Sequence, residues 1–510
     1  MRLLPTRRDF LSGVGVGALV TGFDPATRSW LAGQQARPQT VPVPRLKGRL
    51  LFGKAARSAA ADDFGHIVHH LPWAVLEPGD VGDIAVMLRF CSQHRIPAAP
   101  RGQGHATYGQ AQALGGLVIE MGPLDAISVA ADGTATVQAG ARWSSLLCAA
   151  LPHGLTPPVL TDYLELSVGG TLSVGGIGGT SPHYGAQVDN VLELEVVTGA
   201  GRLLACSPTS RPGLFHAVLS GLGQCAVLVS ATLRLVPAPR HVRHFILYYP
   251  TVDTLTADQR MVQADGRFSF VEGEAELNPD GSGWLYYLEA GAYYDSVPPD
   301  DKKLLAGLHF EQGKQQISTL GYFAFLDRLA SAVAYLKSTG DWYDPHPWWN
   351  MFLPGSVTNS FVSGVMASLT EADIGASGVI LLYPLRRNLL RAPLLRVPDE
   401  PVIFLFSVLR TAAPDLGGAL PAAELLSANR ALFDQGRALG GYEYPIGSIP
   451  VTQADWRQHF GPEFAFLAAA RHRYDPAGIL TPGQGIFPAG SAPEPTTRSG
   501  RLTRWPPCTA

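Results

Sequence analysis

A histidine on a glycine-rich turn is a nucleophile that the backbone leaves uncovered. The sequence places one at His105, in Pro100-Arg101-Gly102-Gln103-Gly104-His105-Ala106-Thr107-Tyr108-Gly109-Gln110. Glycine tolerates positive φ and has no Cβ to hold a ligand away, and consecutive amides in such a turn can bind phosphate. An ordinary surface turn gives the same pattern, so this loop decides nothing alone. A second loop spans residues 161–179, where Gly169, Gly170, Gly175, Gly176, Gly178 and Gly179 are interleaved with Thr171 and Ser173. No Gly-Lys-Ser/Thr follows, and no βαβ dinucleotide fingerprint is formed. A flexible linker rarely carries apolar residues such as Val168, Leu172, Val174 and Ile177 among its glycines. The pair of loops suits a diphosphate held by main-chain amides and hydroxyls.

Asp162 leads into the second loop. It could serve as a base beside a bound ligand, or cap a turn before an apolar run, and on the residues alone the cap is the simpler reading. Glu272 lies in Val271-Glu272-Gly273, and Trp348 and Asn350 in His346-Pro347-Trp348-Trp349-Asn350. Aromatic residues cluster between Trp284 and Trp349, as a pocket for a flat ligand requires. Trp348 suits stacking on such a ligand or plain core packing. No metal is expected. Cys91, Cys148, Cys206, Cys225 and Cys508 are scattered without Cys-x-x-Cys spacing. His66, His69 and His70 lack the carboxylate of a metalloprotease helix and read as structural.

The elements that must position these residues alternate between helix and strand. Ile84, Met87, Leu88 and Cys91 form one apolar stripe of a helix over residues 81–94, with Asp80 or Asp83 as its cap. Residues 117–121 read as a buried strand, and 126–131 and 134–139 as a hairpin about Asp132-Gly133. Residues 142–151 and 214–220 read as helices, 191–198, 202–206 and 227–236 as strands. Pro237-Ala238-Pro239 marks a domain boundary. Residues 240–440 then read as an antiparallel sheet covered by helices, one of them within 320–336.

With 510 residues, 46% of them hydrophobic and 16% charged, the chain has room for two cores. A net charge of −3 gives no reason to invoke nucleic acid or an anionic membrane. Arg7-Arg8 precedes a short apolar run, residues 10–22, diluted by glycine. That reads as a twin-arginine export signal, too short for the ~20 apolar residues of a membrane span. A periplasmic or extracellular location is expected, without stable membrane insertion. Residues 23–47 read as a linker and 489–510 as a disordered tail.

Taken together, these blocks resemble the vanillyl-alcohol-oxidase (PCMH-type) superfamily of flavoproteins, and within it the cytokinin dehydrogenases. The resemblance runs from about residue 71 to 487. It rests on residues 101–110, 161–179, 192–199, 221–224, 271–273, 346–350, 452–461 and 474–487, in the family's order. It implies a two-domain α+β fold. The FAD-binding domain is then discontinuous, 48–239 with a return segment 441–488, around a substrate domain at 240–440. FAD is the implied cofactor, bonded covalently through His105. Contacts are implied for Pro100, Gly102, Gln103, Gly104, Ala106 and Gln110, and for Asp162, Ser167, Ser173, Ile177, Leu228, Tyr444, Thr481 and Gln484. Ala106 stands where the family commonly has serine, Cys225-Ala226 where it has Phe-Gly, and Thr481 where it has serine. No cysteine lies in 161–179, which argues against a second flavin bond of the berberine-bridge kind.

The resemblance turns Asp162 from a cap into the catalytic base and makes Glu272 its partner on the purine ring, with Trp348 and Asn350 beside the substrate. The implied reaction is oxidative cleavage of the N6-isoprenoid side chain of an adenine, by hydride transfer to flavin N5. Electrons then pass to a quinone-like acceptor or oxygen. Another amine, an alcohol or a sugar is the alternative substrate.

Overall fold

Ile84, Met87, Leu88 and Cys91 are fully buried on one face of the helix Val81–His94, as their spacing requires. Asp80 caps it, its Oδ1 accepting from the Asp83 amide at 3.2 Å. The computed structural model describes residues 20–24, 29–32, 39–278, 283–375, 377–412 and 419–488. Thr6 to Leu19 of the expected export signal and the whole 489–510 stretch lie outside the described residues. Three strands pair antiparallel here: Val20–Asp24 begins inside the apolar run expected to be an export signal, and Ser29–Ala32 and Gln39–Pro42 lie in the stretch read as a linker. Among the described residues no helix is long and apolar enough to cross a membrane, and Cys91, Cys148, Cys206 and Cys225 are free thiols.

Two sheets build the first half. One orders Arg49–Leu51, Ala74–Glu77, Leu117–Glu120 and Ala98–Arg101, with the last three strands parallel. The other is antiparallel and orders Leu203–Cys206, Val191–Thr198, Ala226–Arg234, Thr134–Gln138 and Ile127–Val129. Gly133, at φ 84°, makes the hairpin turn that Asp132-Gly133 announced. The chain thus has the mixed α+β character expected of it.

The second half is an eight-stranded antiparallel sheet. Side chains alternate across a strand, and here the alternation divides core from site. Ile380, Leu382, Phe404, Phe406 and Val408 pack in the core with Val252, Leu255 and Val262 of the helix Val252–Asp265 and with Phe361 and Val365 of Gly355–Ser368. Their neighbours Val379, Leu381, Tyr383, Leu405, Ser407 and Leu409 face a cavity instead. Tyr442–Glu443 adds the last strand, against Met351 and Phe352. From there the chain runs back to the first half, where Leu480 bridges Ala98.

Two segments differ from the expected pattern. The glycine loop at 161–179 contains a short helix, Val168–Val174, because Val168 and Leu172 are fully buried. Its Gly169 packs so closely that a Cβ there would lie 2.7 Å from Ala139 Cβ. The helical stretch at 320–336 is instead a strand end and two helices, Tyr322–Leu326 and Ala330–Thr339, interrupted at 327–329. The interruption turns Arg328 inward.

Candidate active site

The strand Ala98–Arg101 ends at the cavity, and the loop after it crosses the cavity wall. Every residue named above for the cofactor lines this one cavity of about 510 Å³, and so do Trp348 and Asn350. That size falls within the ~300–1,000 Å³ usual for small-molecule and cofactor sites. Glu272 is the exception.

Close backbone approach explains the glycines. A Cβ on Gly102 would stand 2.0 Å from Ser167 Oγ, and Gly104 holds φ 68°. The return segment closes the other side. Tyr444 Oη accepts from the Gly176 amide at 3.0 Å, and Gln110 Nε2 donates to the Gly447 carbonyl at 2.9 Å. Thr481, at φ 43°, is held in the left-handed region by bonds from Gln224 Nε2 at 2.7 Å and to the Leu222 carbonyl at 3.1 Å. Ser173 Oγ donates to the Gly169 carbonyl at 2.8 Å, inside the short helix.

His105 is half-buried, open to the cavity and otherwise walled by rings. Phe64 stacks on it with centroids 4.1 Å apart, and His346 stacks on the far face of Phe64 at 4.0 Å. Tyr163, Trp342 and Trp348 complete the wall at 5.0, 5.9 and 5.6 Å. Burial first, then the charges of His346 and Lys337, push the imidazole pKa down to about 3. The ring is therefore neutral, with a free nitrogen lone pair at physiological pH.

Asp162 presents a half-buried carboxylate to the same cavity. Its Oδ1 accepts from Arg328 Nη2 at 2.9 Å and its Oδ2 from the Tyr383 hydroxyl at 2.6 Å. Arg328 Nη2 also donates to Glu272 Oε2 at 2.8 Å and Glu289 Oε2 at 2.9 Å, and Nε to Glu289 Oε2 at 3.1 Å. Phe270 and Phe325 lie 4.9 and 5.2 Å from the guanidinium. His244 Nε2 bonds the other Glu289 oxygen at 2.8 Å.

Burial raises Glu272 well above the ordinary carboxyl range, and the neighbouring Asp162 charge adds to it. Burial works in the same direction on Glu289, but Arg328 and His244 overcome it and the carboxylate is lowered. Glu272 is thus a buried acid behind Arg328, outside the cavity wall, and its expected contact with a purine ring is corrected. Glu274, two residues on and on the same strand face, lines the cavity instead.

Arg328, Tyr383, Glu289, Glu274, Phe64 and Trp342 complete the site and had no motif to announce them. One signal was present. Glu272, Glu274 and Glu289 fall on strands rich in apolar and aromatic residues, where a buried carboxyl needs a partner or a proton.

The site fits a flavin dinucleotide. It combines a glycine cradle that any Cβ would fill, an aromatic wall around a neutral imidazole, and the Asn350 Nδ2 donor, buried in the cavity wall without a partner among the described residues.

Comparisons agree with this geometry. Residues 72–207 match the FAD binding domain family, and 277–487 match the family described as cytokinin dehydrogenase 1, FAD and cytokinin binding. The chain is 39% identical over 427 residues to an uncharacterized oxidoreductase, ORF5 in the fasciation locus of Rhodococcoides fascians, covering 84% of this chain and 96% of that protein. It is 36% identical over 486 residues to cytokinin dehydrogenase 10 of Oryza sativa subsp. japonica, covering 85% and 87%. The solved 6-hydroxy-D-nicotine oxidase of Arthrobacter nicotinovorans shares the fold. Its TM-score is 0.66 at 19% identity, covering 85% of this chain and 96% of that one. The chain is therefore a member of the cytokinin dehydrogenase family, FAD-dependent oxidoreductases that act on CH–NH donors.

Proposed function

We propose that this enzyme cleaves the N6-isoprenoid side chain of an adenine to adenine and an aldehyde. The observation that carries the reading is the Asp162 carboxylate, held open to an apolar cavity by Arg328 and Tyr383. Bound FAD supplies the two-electron acceptor. Asp162 accepts a hydrogen bond from the exocyclic N–H, orients the adjacent carbon, and takes the nitrogen's proton as that carbon is oxidised. Trp348 offers a face to the ring, Asn350 Nδ2 offers a donor to a ring nitrogen, and Val379, Leu381 and Leu409 take the side chain and exclude water. Water then splits the resulting imine. A sugar would bury hydroxyls against these aliphatic residues without partners, which disfavours that alternative.

We also infer that His105 bonds the flavin through one nitrogen, supported by its neutral ring and its place on the cavity wall. Export by the twin-arginine route and a quinone or oxygen acceptor complete the proposal. Addition of isopentenyladenine to the oxygen-free holoenzyme is expected to bleach the flavin and release adenine. A flavin that stays oxidised refutes the substrate. Yellow colour kept in the acid-precipitated pellet is the expected sign of the His105 bond, and a colourless pellet refutes it.

A further inference from the structure

Glu272, Glu274 and Glu276 occupy alternate positions of the strand Phe270–Leu277 and so share one face. Along that face burial falls away step by step. Glu272 is 0% exposed, Glu274 is half-buried on the cavity wall, and Glu276 is exposed. The cross-strand Tyr287 touches both outer carboxyls, its hydroxyl lying 2.5 Å from Glu274 Oε2 and 3.1 Å from Glu276 Oε1. A phenol has one hydrogen to donate, so when it bridges two carboxyls one of them carries a proton. At the inner end, Asp162 Oδ1 and Glu272 Oε2 meet on the same nitrogen, Arg328 Nη2, at 2.9 and 2.8 Å. Carboxyl oxygens of Glu272, Glu274 and Glu289 lie within 4.8 Å of one another, a gap that one water spans. Glu272 Oε1 is buried and has no hydrogen-bond partner among the described residues, and so is open to such a bridge.

On the function proposed above, we propose that Glu272, Glu274, Tyr287 and Glu276 form a relay that carries the substrate's proton from Asp162 to solvent. Oxidation breaks one C–H and one N–H bond and forms one C=N bond. The carbon's hydrogen leaves with its electron pair to the bound flavin. The nitrogen's hydrogen leaves as a proton to Asp162, and the N–H pair becomes the second bond of C=N. One proton per turnover must then leave Asp162 before it can act again. Arg328 cannot take it, because a guanidinium does not deprotonate in a protein. Among the described residues the Tyr383 hydroxyl bonds no side chain but Asp162 and leads no further. Glu289, fixed as a carboxylate between Arg328 and His244, is a counter-ion rather than a carrier. Burial favours protonated carboxyls at Glu272 and Glu274, the latter pushed up to about 8, so a proton entering at Glu272 is passed on through Glu274 and Tyr287 to Glu276 at the surface.

Infrared spectroscopy of the FAD-loaded holoenzyme moved into D2O reads the relay without substrate, through the C=O band of the buried Glu272 carboxylic acid. Glu272→Gln identifies that band by removing it. In the native protein the band shifts quickly. In Tyr287→Phe, and separately in the exposed-end variant Glu276→Gln, exchange is expected to slow at least ~10-fold, toward the rate set by local opening. Native exchange rates in both variants overturn the relay and put proton exit at the cavity mouth. If isopentenyladenine fails to bleach the flavin, the substrate reading fails and the exchange result still stands on its own.

Discussion

Arg328→Met tests the architecture of the site most directly. The guanidinium makes four hydrogen bonds to three carboxyl groups, Asp162, Glu272 and Glu289, with its side chain only 15% exposed. Removing one partner of a buried ion pair costs about 3–5 kcal/mol, because the charge left behind is uncompensated. A domain of this size loses ~2–4 °C of melting temperature per kcal/mol, so the variant should melt roughly 6–20 °C lower. The loss should depend on pH. Glu289, lowered in the folded protein, contributes stability above the ordinary carboxylate range that is lost as pH falls through its folded value. Glu272, raised, subtracts stability as pH climbs from the unfolded value of ~4.3 towards its folded value, and Arg328 limits that subtraction. The Glu289 contribution is already in place at pH 5, so it is the Glu272 effect that makes the variant's deficit larger at pH 8 than at pH 5. Calorimetry of native and variant holoenzyme at the two pH values checks this. Melting within a degree of native, or a deficit equal at both pH values, would refute the reasoning.

Asp162→Asn should keep its flavin and slow reduction by ~10²–10⁴-fold, the contribution typical of a positioned base, read by stopped-flow bleaching; native speed would remove Asp162 from the mechanism. Gly169→Ala places a Cβ 2.7 Å from Ala139 Cβ and 3.0 Å from its carbonyl oxygen. The shift this forces on the short helix should cost about 1–3 kcal/mol, measured as a lowered midpoint in urea, and an unchanged midpoint would show that the helix moves aside freely. Tyr444→Phe strips the Gly176 amide of its acceptor, an expected loss of about 1–3 kcal/mol in a urea titration, and a smaller loss would show that another group satisfies that amide.

Local patterns were legible where one element fixes them. The stripe Ile84, Met87, Leu88 and Cys91 placed a helix to the residue, and Asp132-Gly133 placed a hairpin, because both depend on neighbours in the chain. The glycine loops pointed to the cavity for the same reason. Arg328 was invisible because Tyr322, Phe325, Leu326 and Leu329 mimic a continuous helical stripe. What breaks that helix is a set of carboxylates at 162, 272 and 289, distant in sequence and gathered only by the fold. Glu272 and Glu274 share a strand face, so periodicity could not say which one reaches the ligand. The guanidinium over Glu272 decides it.

The first and last parts of the structure are stitched together at the cavity. Ala98 donates to the Ile479 carbonyl at 2.9 Å and accepts from the Thr481 amide at the same distance. A ribosome that has emitted the whole glycine-rich half has therefore not yet made the wall that Tyr444, Thr481 and Gln484 provide. A chain cut even slightly upstream of residue 481 lacks this stitch together with Thr481 and Gln484 of the wall.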